Sequence, residues 1–477
     1  MTDAIAELDA SALAARYRSG ALSPVEVARD ALERIRRFEP AINAFARLDE
    51  AATLEGARRS EARWRARAPL GALDGVPVTI KDNLAVAGWP TRRGSAVTSD
   101  APSPADSPAA ARLRAAGAVF LGKTTLPEFG WKGTGDSPLT GVTRNPWDLS
   151  KTPGGSSSGA AAAAALNLGA IHLGTDAAGS VRIPAAFTGV FAIKPSHGRV
   201  PAEPVSTMGF LAHIGPLART VADAALALEA IAGPHPRDLT ATLPPFDARE
   251  GKAPGGRKPL EGLRVAFSPA LGLSVEVHPD VASRVAAAAD EAARLGAAVS
   301  RADPGFADPA DALLTIWAGG AALALRPFSP DERARMDPGL VAMAMRGERV
   351  SAADYADALL YARAALAERT ARFHERFDLL LCPALPLPAF EAGRMTPAHG
   401  RYGDDAWSRW TPFTYPFNLT GQPAASLPCG LTADGLPVGL QIVAAHGADG
   451  LVLRAARALE AALDAPRLAE PRGSAAG

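Results

Sequence analysis

Apolar positions recur at three- and four-residue steps at Val25, Ala28, Leu32 and Ile35, behind Ser23-Pro24-Val25-Glu26, which has the form of a capping box with proline at the first helical position. The spacing predicts a surface-packed helix that ends before Pro40. A second helix is predicted over 46–66, rich in Ala, Arg and Glu. The pattern then shortens. Val76-Pro-Val-Thr-Ile-Lys81 reads as a strand with Lys81 at its end, and Ala118-Val-Phe-Leu121 as another. Between them Ser107 to Ala116 reads as a helix, with Ser107 as N-cap and Pro108 in its first turn. Further strands are predicted at 169–173, 190–194, 263–267 and 379–383, and helices over Thr220 to Ala232 and Asp280 to Leu295, with mostly helical chain from there to Arg376. Residues 243–259 are dense in Pro, Gly and charge and predict an exposed excursion. One domain over 1–465 is expected, followed by a frayed tail over 466–477.

Two stretches of small residues stand out. Lys151-Thr-Pro-Gly-Gly-Ser156-Ser157-Ser158-Gly-Ala runs into an alanine-rich segment, so a Gly/Ser loop ends at a helix N-terminus with free backbone N–H groups. Leu173-Gly-Thr-Asp176-Ala-Ala-Gly-Ser180-Val-Arg182-Ile-Pro184 breaks from an apolar strand into a turn whose successive N–H groups can converge on one oxygen. A linker would not be bounded by a run as apolar as Ala160 to Leu166 and by a strand.

Two other patterns are decoys. Gly117-Ala-Val-Phe-Leu-Gly122-Lys123-Thr124 matches a phosphate-binding loop, but its middle is a β-type run and Pro127 soon follows. Gly155-Ser-Ser157-Ser-Gly159 matches a nucleophile elbow, but the polar, proline-broken Asp148-Leu-Ser-Lys-Thr-Pro precedes it where a strand is required.

Formal net charge is +0, so nothing points to nucleic acid or an anionic membrane as a partner, and a neutral small molecule fits better. Cys382 and Cys429 have no Cys-x-x-Cys spacing, which argues against a zinc site or a disulfide scaffold. No metal or organic cofactor is suggested. The N-terminus lacks the basic and apolar regions of a signal peptide, and a cytoplasmic protein is expected. Of 50 basic residues, 43 are Arg and only 7 are Lys, so a lysine retained here is a candidate for work that Arg cannot do, above all as a base. Asp82 follows Lys81 but faces the other side of a strand, so the two need not pair. Trp407, Trp410, Phe413, Tyr415 and Phe417 cluster in a chain with 6% aromatics, a packed core or the wall of an apolar substrate pocket. His172, inside an apolar strand, reads as a core residue. Distant histidines could still meet a serine in the fold, so these residues alone leave a Ser-His-Asp triad open.

Together with Gly75-Val-Pro-Val-Thr-Ile-Lys81-Asp-Asn83, the two small-residue stretches resemble the amidase signature hydrolases, which include bacterial amidases, fatty acid amide hydrolase and the A subunit of the glutamyl-tRNA amidotransferase. The likeness extends to Asn145-Pro-Trp-Asp, Lys194-Pro-Ser-His-Gly-Arg-Val, Gly215-Pro-Leu-Ala-Arg-Thr-Val-Ala-Asp223, Asn418-Leu-Thr-Gly-Gln-Pro-Ala and Gly435-Leu-Pro-Val-Gly-Leu-Gln441, and so to nearly the whole chain. It implies an α/β fold, an α/β/α sandwich around a large mixed β-sheet, and hydrolysis of a carboxylic amide to acid plus ammonia or amine. It further implies Ser180 as nucleophile, Ser156 as a bridging serine after a cis peptide bond, and Lys81 as base. The backbone N–H groups of Ala177, Ala178, Gly179 and Ser180 would form the oxyanion hole, with Ser157, Asp176 and Arg182 in support. Members more often have Gly where this chain has Ala178, whose β-carbon would narrow φ and crowd the acyl pocket. Trp407, Trp410 and Phe413 are the expected pocket residues. Two alternatives stay in view: an amidotransferase A subunit, which usually has Gln in place of Ile183, and a non-catalytic binding protein on the same fold. The substrate and the oligomeric state are not readable, a homodimer being kept open.

Overall fold

In the run Leu379–Pro383, Leu379 and Leu381 enter one hydrophobic core while Leu380 and Cys382 enter another. A continuous apolar run buried on both faces is the mark of a central strand between two layers. The computed structural model describes residues 5–253, 255, 258–398, 407–463 and 465–472. Its strands are β1 (Phe45–Leu48), β2 (Pro77–Lys81), β3 (Val119–Thr124), β4 (Asp136–Ser137), β5 (Gly141–Val142), β6 (Ile171–Asp176), β7 (Phe191–Lys194), β8 (His213–Ala218), β9 (Arg264–Phe267), β10 (Ala298–Arg301), β11 (Leu379–Pro383), β12 (Ala424–Leu431) and β13 (Pro437–Ala444). Eleven of them form one mixed sheet in the order β1-β3-β2-β6-β8-β7-β12-β13-β11-β9-β10, and β4 and β5 form a separate hairpin. The β3, β2 and β6 strands run parallel, β8 through β13 alternate in direction, and β11, β9 and β10 are parallel again.

Helices cover both faces, giving the expected α/β/α sandwich. Val221–Ile231, Pro279–Arg294 and Asp449–Leu463 pack into one core, and Ala310–Leu325, Pro338–Gly347 and part of Pro24–Ile42 into the other. Among the described residues no helix is long and apolar enough to cross a membrane.

Some local expectations fail, each for a physical reason. The first long helix runs through Pro40 to Ile42, because a proline in the last turn removes only one hydrogen bond, and closes at Asn43 in the left-handed conformation. The head of the predicted helix over 46–66 is the edge strand β1, paired with β3, and the helix starts only at Glu50, where Asp49 accepts Ala52 N–H at 3.1 Å. The excursion at 243–259 is largely exposed where it is described, with buried Phe246 and Ala248 and a short 3-10 turn, Ala248–Gly251, against Leu453 as its anchors. Residues 466–472 form no helix or strand and are mostly exposed; Leu468 is buried, Arg472 N–H donates to Pro146 O at 2.8 Å and its guanidinium lies 4.6 Å from the Trp147 ring. Residues 473–477 lie outside the described residues.

The strand β3 also accounts for the phosphate-loop pattern. Lys123 is buried in it, ion-paired with Asp82 at 2.9 Å and donating to Pro90 O and Thr91 Oγ1. Its ammonium is fully engaged, and Asp82 indeed turns away from Lys81.

Candidate active site

The strands β2 and β6 are parallel neighbours, and Lys81 and Asp176 are their last residues. Chain leaving the carboxyl ends of parallel strands is where an open α/β sheet places ligands. The Gly/Ser loop reaches the same edge from below and enters the helix Ser158–Ala165, which packs on the sheet as an all-small segment. Its Gly155–Ser156 peptide bond is cis. At Gly174 a β-carbon would stand 2.7 Å from Ser157 Oγ, so this glycine makes the room that Ser157 occupies.

These placements gather three hydroxyls around one amine. Lys81 Nζ lies 2.8 Å from Ser156 Oγ, 3.0 Å from Ser157 Oγ and 3.0 Å from Thr175 Oγ1, and it is fully buried. Burial pushes the Lys81 ammonium down from 10.5 to about 7, against an upward pull from Asp176. Ser157 Oγ donates to Thr175 O at 3.2 Å, and Ser157 N–H donates to Ser180 O at 3.0 Å. Thus Ser157 ties loop, strand and turn together.

The turn after β6 is clamped from behind. Burial would raise the Asp176 carboxyl, but Arg182 beside it, bonded through Nε and Nη2 at 3.0 Å each, holds it well below the ordinary carboxylate range. Asp176 in turn accepts Gly179 N–H at 2.7 Å and Val181 N–H at 3.2 Å. Arg182 reaches Thr414 O, Gln441 Oε1 and Asn418 Oδ1, at 2.8, 2.8 and 2.6 Å, and so joins the turn to β13 and the Pro416–Leu419 helix. Gly179, with φ +122°, lets Thr414 approach; a β-carbon there would meet Thr414 Oγ1 at 2.4 Å.

Of the four turn N–H groups expected to meet an oxyanion, Gly179 is committed to Asp176, while those of Ala177, Ala178 and Ser180 have no partner among the described residues. The Ala178 methyl does not crowd the site. Its φ is not left-handed, the side chain is buried in the core, and it does not line the cavity. Ser180 Oγ bonds to no described residue and opens, with Ser156 and Ala177, into a cavity of about 200 Å³. His172 is a core residue, bonded to Thr79 and Gly169 and pushed by burial to about 4. His213 lies on the cavity wall, but burial holds it neutral.

The profile of the family described as Amidase matches residues 26–453. The chain belongs to the amidase family. This amidase is 37% identical over 459 residues to an acylamidase of Rhodococcus erythropolis, an alignment covering 95% of each chain. It is also 37% identical to the A subunit of the glutamyl-tRNA(Gln) amidotransferase of Symbiobacterium thermophilum, over 95% of this chain and 96% of the relative. Among solved structures it is similar to a bacterial aryl acylamidase of the amidase signature enzymes, with a TM-score of 0.86 and 29% identity over 95% and 96% of the two chains. The protein is an amide hydrolase.

The expected aromatic pocket is corrected. Trp407, Trp410 and Phe413 are at most 2% exposed, and none lines the cavity of the amidase. Trp410 stacks on Phe187 at 5.9 Å, meets Phe390 edge-on at 5.1 Å and donates Nε1–H to Met395 O. We therefore expect Trp410→Ala to cost about 3–5 kcal/mol of stability and to change kcat/KM for small and aryl amides in equal proportion, as thermal unfolding and paired assays would report. The cavity's own aromatics are Phe129, Trp131 and Trp317. Sequence reasoning missed them, since they come from separate segments and carry no local pattern; among the described residues, the ring contact of Trp317 with Trp407, centroids 5.0 Å apart, links them to the aromatic run.

Proposed function

We propose that Lys81, Ser156 and Ser180 are the catalytic residues and that hydrolysis proceeds through an acyl-enzyme on Ser180. The observation that carries this reading is the fit of a neutral amine to its three hydroxyls. Ser157 spends its hydrogen on Thr175 O, so its oxygen can accept one Lys81 N–H; Thr175 Oγ1 takes a second. The lone pair is left facing Ser156 Oγ at 2.8 Å, which has no other partner among the described residues. With the Lys81 ammonium at about 7, this neutral form is abundant at neutral pH.

In the proposed sequence Ser180 Oγ attacks the amide carbonyl, passes its proton to Ser156, and Ser156 passes its own to Lys81. The turn N–H groups stabilise the oxyanion, those of Ala177, Ala178 and Ser180 more than that of Gly179, which is shared with Asp176. Returned through Ser156, the proton goes to the departing nitrogen as the C–N bond breaks. Water then attacks the ester by the same route, giving the acid and free Ser180. Asp176, Arg182 and Ser157 hold the turn and the loop in register. The substrate is a small amide, and a net charge of +0 gives no pointer to a nucleic-acid partner. A cytoplasmic setting suits two buried, unpaired cysteines.

The amidotransferase A subunit is the second reading, favoured by the 37% identity to one. Against it stands Ile183, packed beside Gly154 and Gly179 where a polar residue would reach the turn. The test is release of amine or ammonia from a panel of aliphatic and aryl amides by the purified chain alone, with an acyl-enzyme trapped by hydroxylamine. Turnover of glutamine only, and only after a second subunit is added, would favour the amidotransferase reading.

A further inference from the structure

Arg92 and Arg93 are adjacent and end differently. The Arg92 guanidinium is tied down, to Asp100 at 2.8 Å and to Ser95 O at 3.4 Å. Arg93 is fixed only through its backbone: its N–H donates to Asp82 O at 3.1 Å, its carbonyl accepts Phe129 N–H at 2.8 Å, and φ is +54°. Its side chain is exposed, lines the catalytic cavity and lies over the Phe129 ring at 6.0 Å, with no hydrogen bond or ion pair to any described residue. Partial burial lowers its guanidinium from the ordinary value, and the acid that pulls it back up, Asp82, is already bonded to Lys123 at 2.9 Å.

The other charged groups on the cavity wall are compensated. Asp176 is paired with Arg182, Glu203 with Arg237 at 3.1 Å, and His213 is neutral. Much of the remaining wall is apolar, with Leu84, Trp131, Met208, Trp317 and Leu340. Neutral polar groups such as Asn83, Ser107 and Thr207 share the wall with these apolar side chains, and Arg93 is its one uncompensated cation among the described residues, a docking point for one anionic group.

We infer that Arg93 is a specificity-determining residue, and that the preferred substrate is an amide with an apolar body and a carboxylate remote from the scissile bond. The inference rests on the amide-hydrolase reading and on Ser180 as the reacting residue. It does not fix whether the carboxylate sits on the acyl or the amine side, and the test separates the two.

Two matched pairs serve: hexanamide against the monoamide of adipic acid, and butyranilide against its 4-carboxylate. In one pair the wild type should favour the charged member in kcat/KM. Arg93→Asn, which tolerates the left-handed backbone, should lower that charged-to-neutral ratio by about 10- to 100-fold, and Arg93→Lys should recover part of it. No preference in either pair, or a ratio unmoved by Arg93→Asn, overturns the inference. Should no probe be hydrolysed, these four amides are not substrates, and the outcome passes to binding. Calorimetric titration of Ser180→Ala then decides on Arg93: tighter binding of the charged member, lost in the Ser180→Ala, Arg93→Asn double variant, supports the inference, and equal binding overturns it.

Discussion

Lys81→Met and Lys81→Arg should lose activity alike, kcat/KM falling by about 10³-fold in each, because neither side chain can serve as the proposed base for the proton of Ser180 relayed through Ser156. Arg keeps the charge but stays protonated at any working pH. Met fills much the same volume without charge and is the control for folding, since a permanent cation in a fully buried site is costly. On the proposed role of Lys81 as base, only its neutral form is active, so kcat/KM should rise with pH and level off above about 7. Two pH units below, only about one molecule in 100 would hold a neutral Lys81. Stability carries the same signature. Between the folded value of about 7 and the unfolded value of 10.5 the unfolded chain binds the extra proton, so this contribution to stability grows as pH rises through that window. Denaturant unfolding at pH 7 and 9 should therefore show wild type gaining on Lys81→Met. Near-normal activity of Lys81→Arg would reduce Lys81 to a fixed charge and turn the search for a base to His213, the histidine on the cavity wall.

Scarcity made the lysines legible. Four of the seven, Lys81, Lys123, Lys132 and Lys194, are buried, where in this arginine-rich chain a surface charge would have been Arg. The serine loop and the turn that follows were legible as well, because their glycines and serines specify backbone geometry within a few residues, but the strand does not break at Gly174: pairing with β8 carries β6 on to Asp176. The cavity wall was not. It is assembled from the chain after β2, from Phe129 to Trp131, from 202–214 and from helices more than a hundred residues further on, and no short window holds that relation. The cluster around Trp410 misled for a related reason: core and pocket wall have the same apolar composition, and only burial tells them apart. Pro40 and the edge strand β1 were missed because end effects and pairing with β3 overrode local propensity. Arg93 escaped notice because a single arginine among 43 becomes informative only when its partners can be counted.

Ser180→Ala should abolish turnover, a loss of about 10⁴-fold or more, and remove labelling by a fluorophosphonate probe, with the melting temperature unchanged. The last point follows from the hydrogen bonds. Ser180 Oγ serves no described residue, so its loss leaves no buried donor or acceptor unpaired. Ser157→Ala is the contrasting case. It strips Lys81 of an acceptor at 3.0 Å and Thr175 O of a donor, both buried or nearly so, and it should lower stability measurably while leaving the nucleophile in place. Intact-mass analysis after probe treatment separates the two: Ser157→Ala still labels, Ser180→Ala does not. Full labelling of Ser180→Ala would move the nucleophile to Ser156, the other triad serine that opens into the cavity, and would leave Lys81 as a base acting on it directly across 2.8 Å.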